Sequence, residues 1–490
     1  MNLDRIVRLL GFRYATALLV LVALAALYGA ASLSRPSADA SAKGRRGPIT
    51  SAVSVCPGHE GGRLSVQSYG AKDAPSGGRV DAVQTHAGTP VASINAAGQR
   101  WSKDMGTSDD SYTVRAGGGI AAGLEAEQTT HWSGGPDRGL AGVRCSRPAT
   151  DLWFLGPGPI AADALDLYLT NVDSQPASVD VTALSGEGPL DTTEGLATPV
   201  EPYSTRVVRL GTSPEGLGDI VKTARDLTLH VHTTSGRVAA SLRARSGEKK
   251  GVEWLPVSPA PAPSVLVPGI PSGPGQRRLL VAVPGDADAR VKVQVLTPDG
   301  AFAPQGQDVL DAPAKTVSAV ALESALSGKP AAVRLVADRP ILAGFEADRG
   351  ADIAYGTATE PLGTPDGPGR TTGGVVADDR FDSSLILTAP DGAASVQVVA
   401  RGGQGAGAPR EIRIPAGRTV ETKIDAPAGG DQGFGIVITP RPGSAPVHAA
   451  RTMATGKGDG YLFTVLPVAP AAATEWLPEA ADSQGALLDG

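Results

Sequence analysis

The stretch RLLVAVPGDADARVKVQVLTPDG, residues 278–300, reads as a strand, a Pro/Asp/Gly turn and a second strand in which valine alternates with polar residues. Alternation with period 2 puts successive side chains on opposite faces of a sheet. Pro284, Gly285 and Asp286 supply the turn chemistry between the two runs. Two other stretches begin the same way: LDLYLTNVDSQPASVDVTAL from Leu165 and SLILTAPDGAASVQVVARGG from Ser384. Each is followed by a second element, YSTRVVRL, AKTVSAVAL or GRTVETKI, and then by a third. Val207, Val317 and Val420 mark the second element and Val238, Ile341 and Val447 the third, a period of about 105 residues. That period, with period-2 alternation and turns about every 8–12 residues, predicts an all-β chain of tandem Ig-size β-sandwich modules. The best helical candidate beyond residue 35 is short, VSAVALESALS at 317–327.

Working outward, the expected layout is a cytoplasmic tip with an anchor or signal segment over 1–35 and a flexible stalk over 36–50. A β unit over 51–155 follows, then repeats over 156–258, 259–365 and 366–490, the last with a C-terminal tail. The tetrapeptide EWLP occurs at 253–256 and again at 475–478. Each copy reads as a module exit, with Trp254 and Trp476 plugging the end of their own sandwich and Glu253 and Glu475 near solvent. LPVSPAP after Trp254 also resembles LPVAPAA at 466–472, so the second copy can instead sit one strand later.

No charged residue lies between Arg13 and Arg35, and the core of that segment is ATALLVLVALAALYGAASL. Its length suits one transmembrane helix, and Arg5, Arg8 and Arg13 place the N-terminus in the cytoplasm. A cleaved signal peptide is the rival reading, with Ala38-Asp39-Ala40 as a small-x-small site. Either way the bulk of the chain is expected outside the cytoplasm. Cys56 and Cys145 are the only cysteines. An even count in an exported chain predicts a disulfide, closing a loop of about 90 residues.

Several motifs occur in an ordered series: CPG at Cys56, GIAAGLEAEQ at 119–128, GLAGVRC ending at Cys145, WFLGPG at 153–158, the LYLTNVDSQPASVDV strand pair, and VEWLP with VLVPG. In that order they resemble an uncharacterised actinobacterial family of exported, membrane-anchored proteins, the domain-of-unknown-function family numbered 5719. The resemblance covers most of residues 50–480. It implies topology and location, and it brings no activity and no catalytic residues.

The chain carries 44 Lys and Arg against 50 Asp and Glu, a net charge of −6, and no basic block follows residue 50. Nucleic acid is therefore not an expected partner. No G-x-S-x-G nucleophile elbow is present. The glycine-rich runs at 116–123 and 402–407 lack the strand–helix context of a dinucleotide site. His230 and His232, in LTLHVHTT, fall on one strand face, outward if Leu227, Leu229 and Val231 face the core. Such a pair could ligate zinc or copper, but the sequence shows no third ligand, so no metal or other cofactor is expected. Trp101, in the polar stretch NAAGQRWSKDMG, and Trp132 are the candidate glycan contacts. Trp132 and Trp153 also read as core or edge fillers. The resulting expectation is a non-catalytic extracytoplasmic scaffold or interaction protein of the cell envelope. It would contact the membrane through its N-terminal helix and meet envelope glycans or other envelope proteins. An envelope glycan-binding protein is the alternative, and a hydrolase comes third.

Overall fold

The computed structural model describes residues 17–30 and 45–477, apart from 59–61, 70–76, 109, 191, 247–250, 364–371, 379, 403–404, 431–432 and 472–473. Residues 48–474 form one compact unit, and 1–47 with 475–490 form a second.

In the second unit a helix covers 17–30 and exposes Leu18, Leu19, Leu21, Leu24 and Leu27. Among the described residues no helix is long and apolar enough to cross a membrane. The expected span over 14–34 is thus not met by the described helix, and its two ends lie outside the described residues. Of the expected stalk, 36–44 lies outside the described residues. Arg45–Pro48 is a strand paired with Thr474–Leu477, so the end of the supposed linker and the second EWLP share a two-stranded sheet. That puts Trp476 in a strand beyond the last sandwich, the later of the two positions its sequence allows.

The 48–474 unit is all-β and contains four sandwiches of one topology. In each, the first, sixth, third and fourth principal strands form one antiparallel sheet, in that order. The fifth, second, seventh and eighth form the other. The first sandwich runs from strand Ser51–Cys56 to Gly139–Arg144, and the second from Asp151–Pro157 to Val252–Leu255. The third runs from Ala262–Ile270 to Asp352–Thr357, and the fourth from Thr372–Ala377 to Leu462–Val468. In the third, one long strand, Ala331–Arg349, serves as both sixth and seventh by passing from one sheet to the other. The repeat therefore occurs four times, the 51–155 segment included, and the expected break at 155 falls inside strand Asp151–Pro157.

The strand pair at 278–300 shows why the period holds. In Ala289–Thr297, Ala289, Val291, Val293 and Val295 are buried while Arg290, Lys292 and Gln294 are exposed. Yet this strand does not pair with Arg277–Val283. The earlier strand bonds to Thr316–Ala321 and to 342–347, so the PGDADA turn carries the chain across the sandwich and not around a hairpin. Within Arg277–Val283 the run 279–283 is apolar without alternation because both its faces are covered. Leu279, Val281 and Val283 fill the third core. Leu280 and Ala282 pack with Leu342, Val317 and Leu155, and Leu155 belongs to the second sandwich.

The four sandwiches are joined through their eighth strands. Those of the first and second, second and third, third and fourth, and fourth and first are in contact, which closes a ring. Apolar clusters span these contacts. Ala141 and Val143 meet Tyr168, Val252 and Trp254 between the first two sandwiches. Leu140 meets Phe381, Met453, Leu462 and Leu466 between the first and fourth. Ala450, Phe463 and Val465 of the fourth enter the core of the third. The approach at Gly142 is close: a Cβ there would lie 3.1 Å from Thr464 Oγ1 and 3.2 Å from Leu466 Cδ1, so those side chains would have to shift by a few tenths of an ångström.

An eighth strand is a sheet edge, and its outward N–H groups need acceptors once buried. Two carboxylates supply them. Glu253 Oε1 accepts from the N–H of Gly142 in the first sandwich and from that of Trp254, both at 2.9 Å. Asp352 Oδ2 accepts from Leu140 at 3.3 Å and from Phe463 at 2.8 Å, and its Oδ1 accepts from Ile353 at 3.1 Å. One residue of the third sandwich thus binds the first and the fourth. Burial pushes Glu253 well above the usual carboxylate range and Asp352 up to about 8, against the pull of those backbone N–H groups. The expectation that Glu253 sits near solvent is overturned: it is 1 % exposed. Trp254 is buried as expected, but its indole touches the first sandwich as well as its own.

Cys56 and Cys145 are bonded and buried, 89 residues apart. The bond ties the end of the first strand to the residue after the eighth, across the two sheets of the first sandwich. Val55 and Ser146 exchange backbone hydrogen bonds beside it.

Three outcomes follow from this packing. Trp254→Ala is expected to destabilise the 48–474 unit by about 3–5 kcal/mol, the usual cost of emptying a buried aromatic site. Hydrogen exchange should then lose protection in 139–144 as well as in 252–255, and loss confined to 252–255 would refute the shared cluster. The raised Asp352 carboxyl keeps its proton in the folded chain where the unfolded chain has lost it. Its contribution to stability is therefore full below about pH 4 and is lost as pH rises through about 8. Urea unfolding at pH 5 and pH 9 should show wild type losing stability relative to Asp352→Asn, and an unchanged difference would disprove the linkage. Cys145→Ser should lower stability by roughly 4–5 kcal/mol if constraint of the unfolded chain dominates. Thiol labelling of both cysteines in the oxidised, folded protein would contradict the bond.

Candidate functional site

The two candidate glycan contacts do not form one site. Trp101 lies on strand Arg100–Met105, the fifth of the first sandwich, and not in a polar loop. Its ring is half-buried against the first core, opposite Val66. Trp132 ends the seventh strand, Leu124–Trp132, and is 41 % exposed. Val66 pairs with Ala126, so Trp132 lies six residues further along, about 20 Å at the rise of a strand.

A buried polar cluster lies between the first and fourth sandwiches. Arg451 donates to Glu127 at 2.7 Å with both side chains buried, and Arg144 pairs with Glu125 at 2.7 Å. Burial raises Glu127, and the Arg451 charge opposes that shift. Tyr69 donates to the carbonyls of Val375 and Ile436 of the fourth sandwich. Each of these bonds joins one sandwich to the other or braces the strands that do.

Where the four eighth strands meet, an apolar cavity of about 300 Å³ opens, with Val143, Trp254, Leu255, Thr357, Val465 and Leu466 in its wall. All four sandwiches contribute to it. Its size suits a small apolar molecule.

Among the described residues, a cluster of three ligating side chains lies on the outer face of the second sandwich. Strand Asp226–Ser235 buries Leu227, Leu229 and Val231 and turns His230 and His232 outward, as its alternation predicts. The third ligand that the sequence hides comes from the neighbouring strand, Asp151–Pro157. In that register Asp151 faces His232 and Trp153 faces His230. Asp151 Oδ2 lies 3.1 Å from His230 Nε2 and 3.5 Å from His232 Nδ1. One ligand atom from each of the three lies within 4.8 Å of the others. Trp153 packs against the apolar cluster of Leu155, Leu280 and Leu342, as a core or edge filler would, and it does more. Its indole stacks on His230 with centroids 3.7 Å apart and planes at 4°, and its Nε1 donates to Asp151 Oδ1 at 2.7 Å. Burial alone would raise the Asp151 carboxyl, but the bonds from His230, Trp153 and His232 outweigh it and hold it below its ordinary value. On the other flank Asp180 faces His232 from strand Ala177–Ser185, where it accepts the backbone N–H of Ala197 at 2.7 Å.

No curated protein matches this chain. A solved structure, the "tetra-tandem repeat in extending region of large adhesion protein", aligns at 14 % identity over 86 % of this chain and 100 % of its own. Its TM-score is 0.09, so that likeness bears on neither fold nor function. A family profile described as "Family of unknown function (DUF5719)" matches residues 101–425, which run from the fifth strand of the first sandwich into the fourth. The chain belongs to that family.

Proposed function

We propose that this protein is a non-catalytic scaffold or interaction protein of the cell envelope, working outside the cytoplasm. The observation that carries this reading is the closed ring of four sandwiches. Their eighth-strand edges meet one another, and the other edges, sheet faces and loops are left to form a broad outer surface. Such a body suits holding partners in fixed relation more than closing over a substrate. The disulfide supports an oxidising compartment. The apolar N-terminal stretch supports export, and export with or without retention at the membrane is sufficient for that location. Envelope glycan binding is the second reading, favoured by the exposed ring of Trp132 and weakened by its distance from Trp101.

Proximity labelling from a tag at the C-terminus of the full chain in intact cells tests the main reading. Labelled neighbours should be envelope proteins, and a predominantly cytoplasmic set would overturn both compartment and role. Cosedimentation with isolated envelope polysaccharide tests the second reading. Retention that Trp132→Ala abolishes, with unchanged melting, would favour the glycan-binding role over the scaffold.

A further inference from the structure

We propose that Asp151, His230 and His232 form a binding site for a zinc-type transition metal ion on the outer face of the second sandwich. The geometry comes first. A tetrahedral zinc with bonds of about 2.0–2.1 Å sets its ligand atoms roughly 3.3 Å apart. Asp151 Oδ2 lies 3.1 Å from one imidazole nitrogen and 3.5 Å from the other, so two edges of the ligand triangle already have nearly that length. A metal entering between them takes the place of the hydrogen bond that now links carboxylate and imidazole, and each imidazole binds it through an unprotonated ring nitrogen while its own proton sits on the other.

The surroundings hold the ligands in place without using up their lone pairs. The Trp153 indole donates to Oδ1 and leaves Oδ2 to the metal. Its stacked ring fixes the plane of the His230 imidazole. Carboxylate orientation and ring orientation are the two things that outer residues commonly set at metal centres. The ligands themselves stand on paired strands, where backbone register positions them. His230 and His232 are two residues apart on one strand face, and Asp151 is directly across from His232.

The ligand set selects the class of ion. Two imidazoles with one carboxylate suit zinc, copper, nickel or cobalt, whereas calcium and magnesium require oxygen ligands throughout. Three protein ligands leave a coordination position open, and it faces solvent, since the Asp151 and His232 side chains are about half-exposed. Water or a donor group on a partner could fill that position. The site lies on the same sheet face as Leu155, which contacts the third sandwich, so a bound ion would stand beside that boundary.

The test uses the full chain and zinc alone. Calorimetric titration of metal-free protein with Zn²⁺ should find one equivalent bound per chain. His232→Ala should weaken that binding at least tenfold, and so should Asp151→Asn. Both side chains are exposed enough for the variants to fold, which unchanged melting without metal would verify. Cu²⁺ should quench tryptophan fluorescence in wild type, and Trp153→Phe, which removes the stacked indole, should remove most of that quenching. Absence of a bound equivalent, or equal affinity in His232→Ala, would overturn the site. Copper quenching that survives Trp153→Phe in full would equally place the ion elsewhere.

Discussion

The need to satisfy buried edge-strand N–H groups governs how this protein is assembled. A β-sandwich ends in edges, and an open edge invites pairing with another chain. Here four edges are brought together, and two carboxylates accept the N–H groups that no strand is left to take. Glu253 and Asp352 are unusual acceptors because a buried charge costs more than a buried carbonyl. Both are shifted towards the protonated form, which lowers that cost while keeping oxygen atoms aimed at Gly142, Leu140 and Phe463. Removing either carboxylate would leave these N–H donors without their present partners.

The contacts around these carboxylates follow a division of labour. Apolar clusters such as Tyr168 with Trp254, or Leu140 with Met453 and Leu466, supply most of the attraction between sandwiches. The buried pair of Arg451 and Glu127 adds little net attraction by comparison, because desolvation offsets its Coulomb energy. It penalises misalignment, since a shifted fourth sandwich would strand a charge. The exposed pair of Arg237 and Asp173 lies within one sandwich and has no such effect.

The sandwich class was legible because its signal is local. Val291, Val293 and Val295 alternate within one strand, and Leu227, Leu229 and Val231 fix the outward direction of His230 and His232 in the same way. The pairing of Cys56 with Cys145 was legible from cysteine count and compartment. What was not legible is set by contacts between distant segments. Asp151 joins His230 across 79 residues, and only the strand register brings them together. The burial of Glu253 was hidden because its partner is a backbone N–H of another sandwich, and a backbone group leaves no mark on sequence. Continuous apolar runs held a clue: Leu279 to Val283 has no polar face because two modules cover it, and that pattern marks an interface strand.

Closure of the ring also sets an order in time. Glu127 waits for Arg451, which lies 324 residues further along the chain. At synthesis rates of about 5–20 residues per second, that interval is roughly 15–65 s. Through it the eighth strand of the first sandwich, Gly139–Arg144, can already meet Trp254 of the second sandwich but lacks Leu466, so the side that the fourth sandwich covers stays open. A newborn chain therefore passes through a stage in which its earliest module is folded but sticky. Contacts of such long range also form slowly. The disulfide lies wholly within that first module and can form before the rest arrives, which makes the first sandwich the natural seed on which the later three are laid.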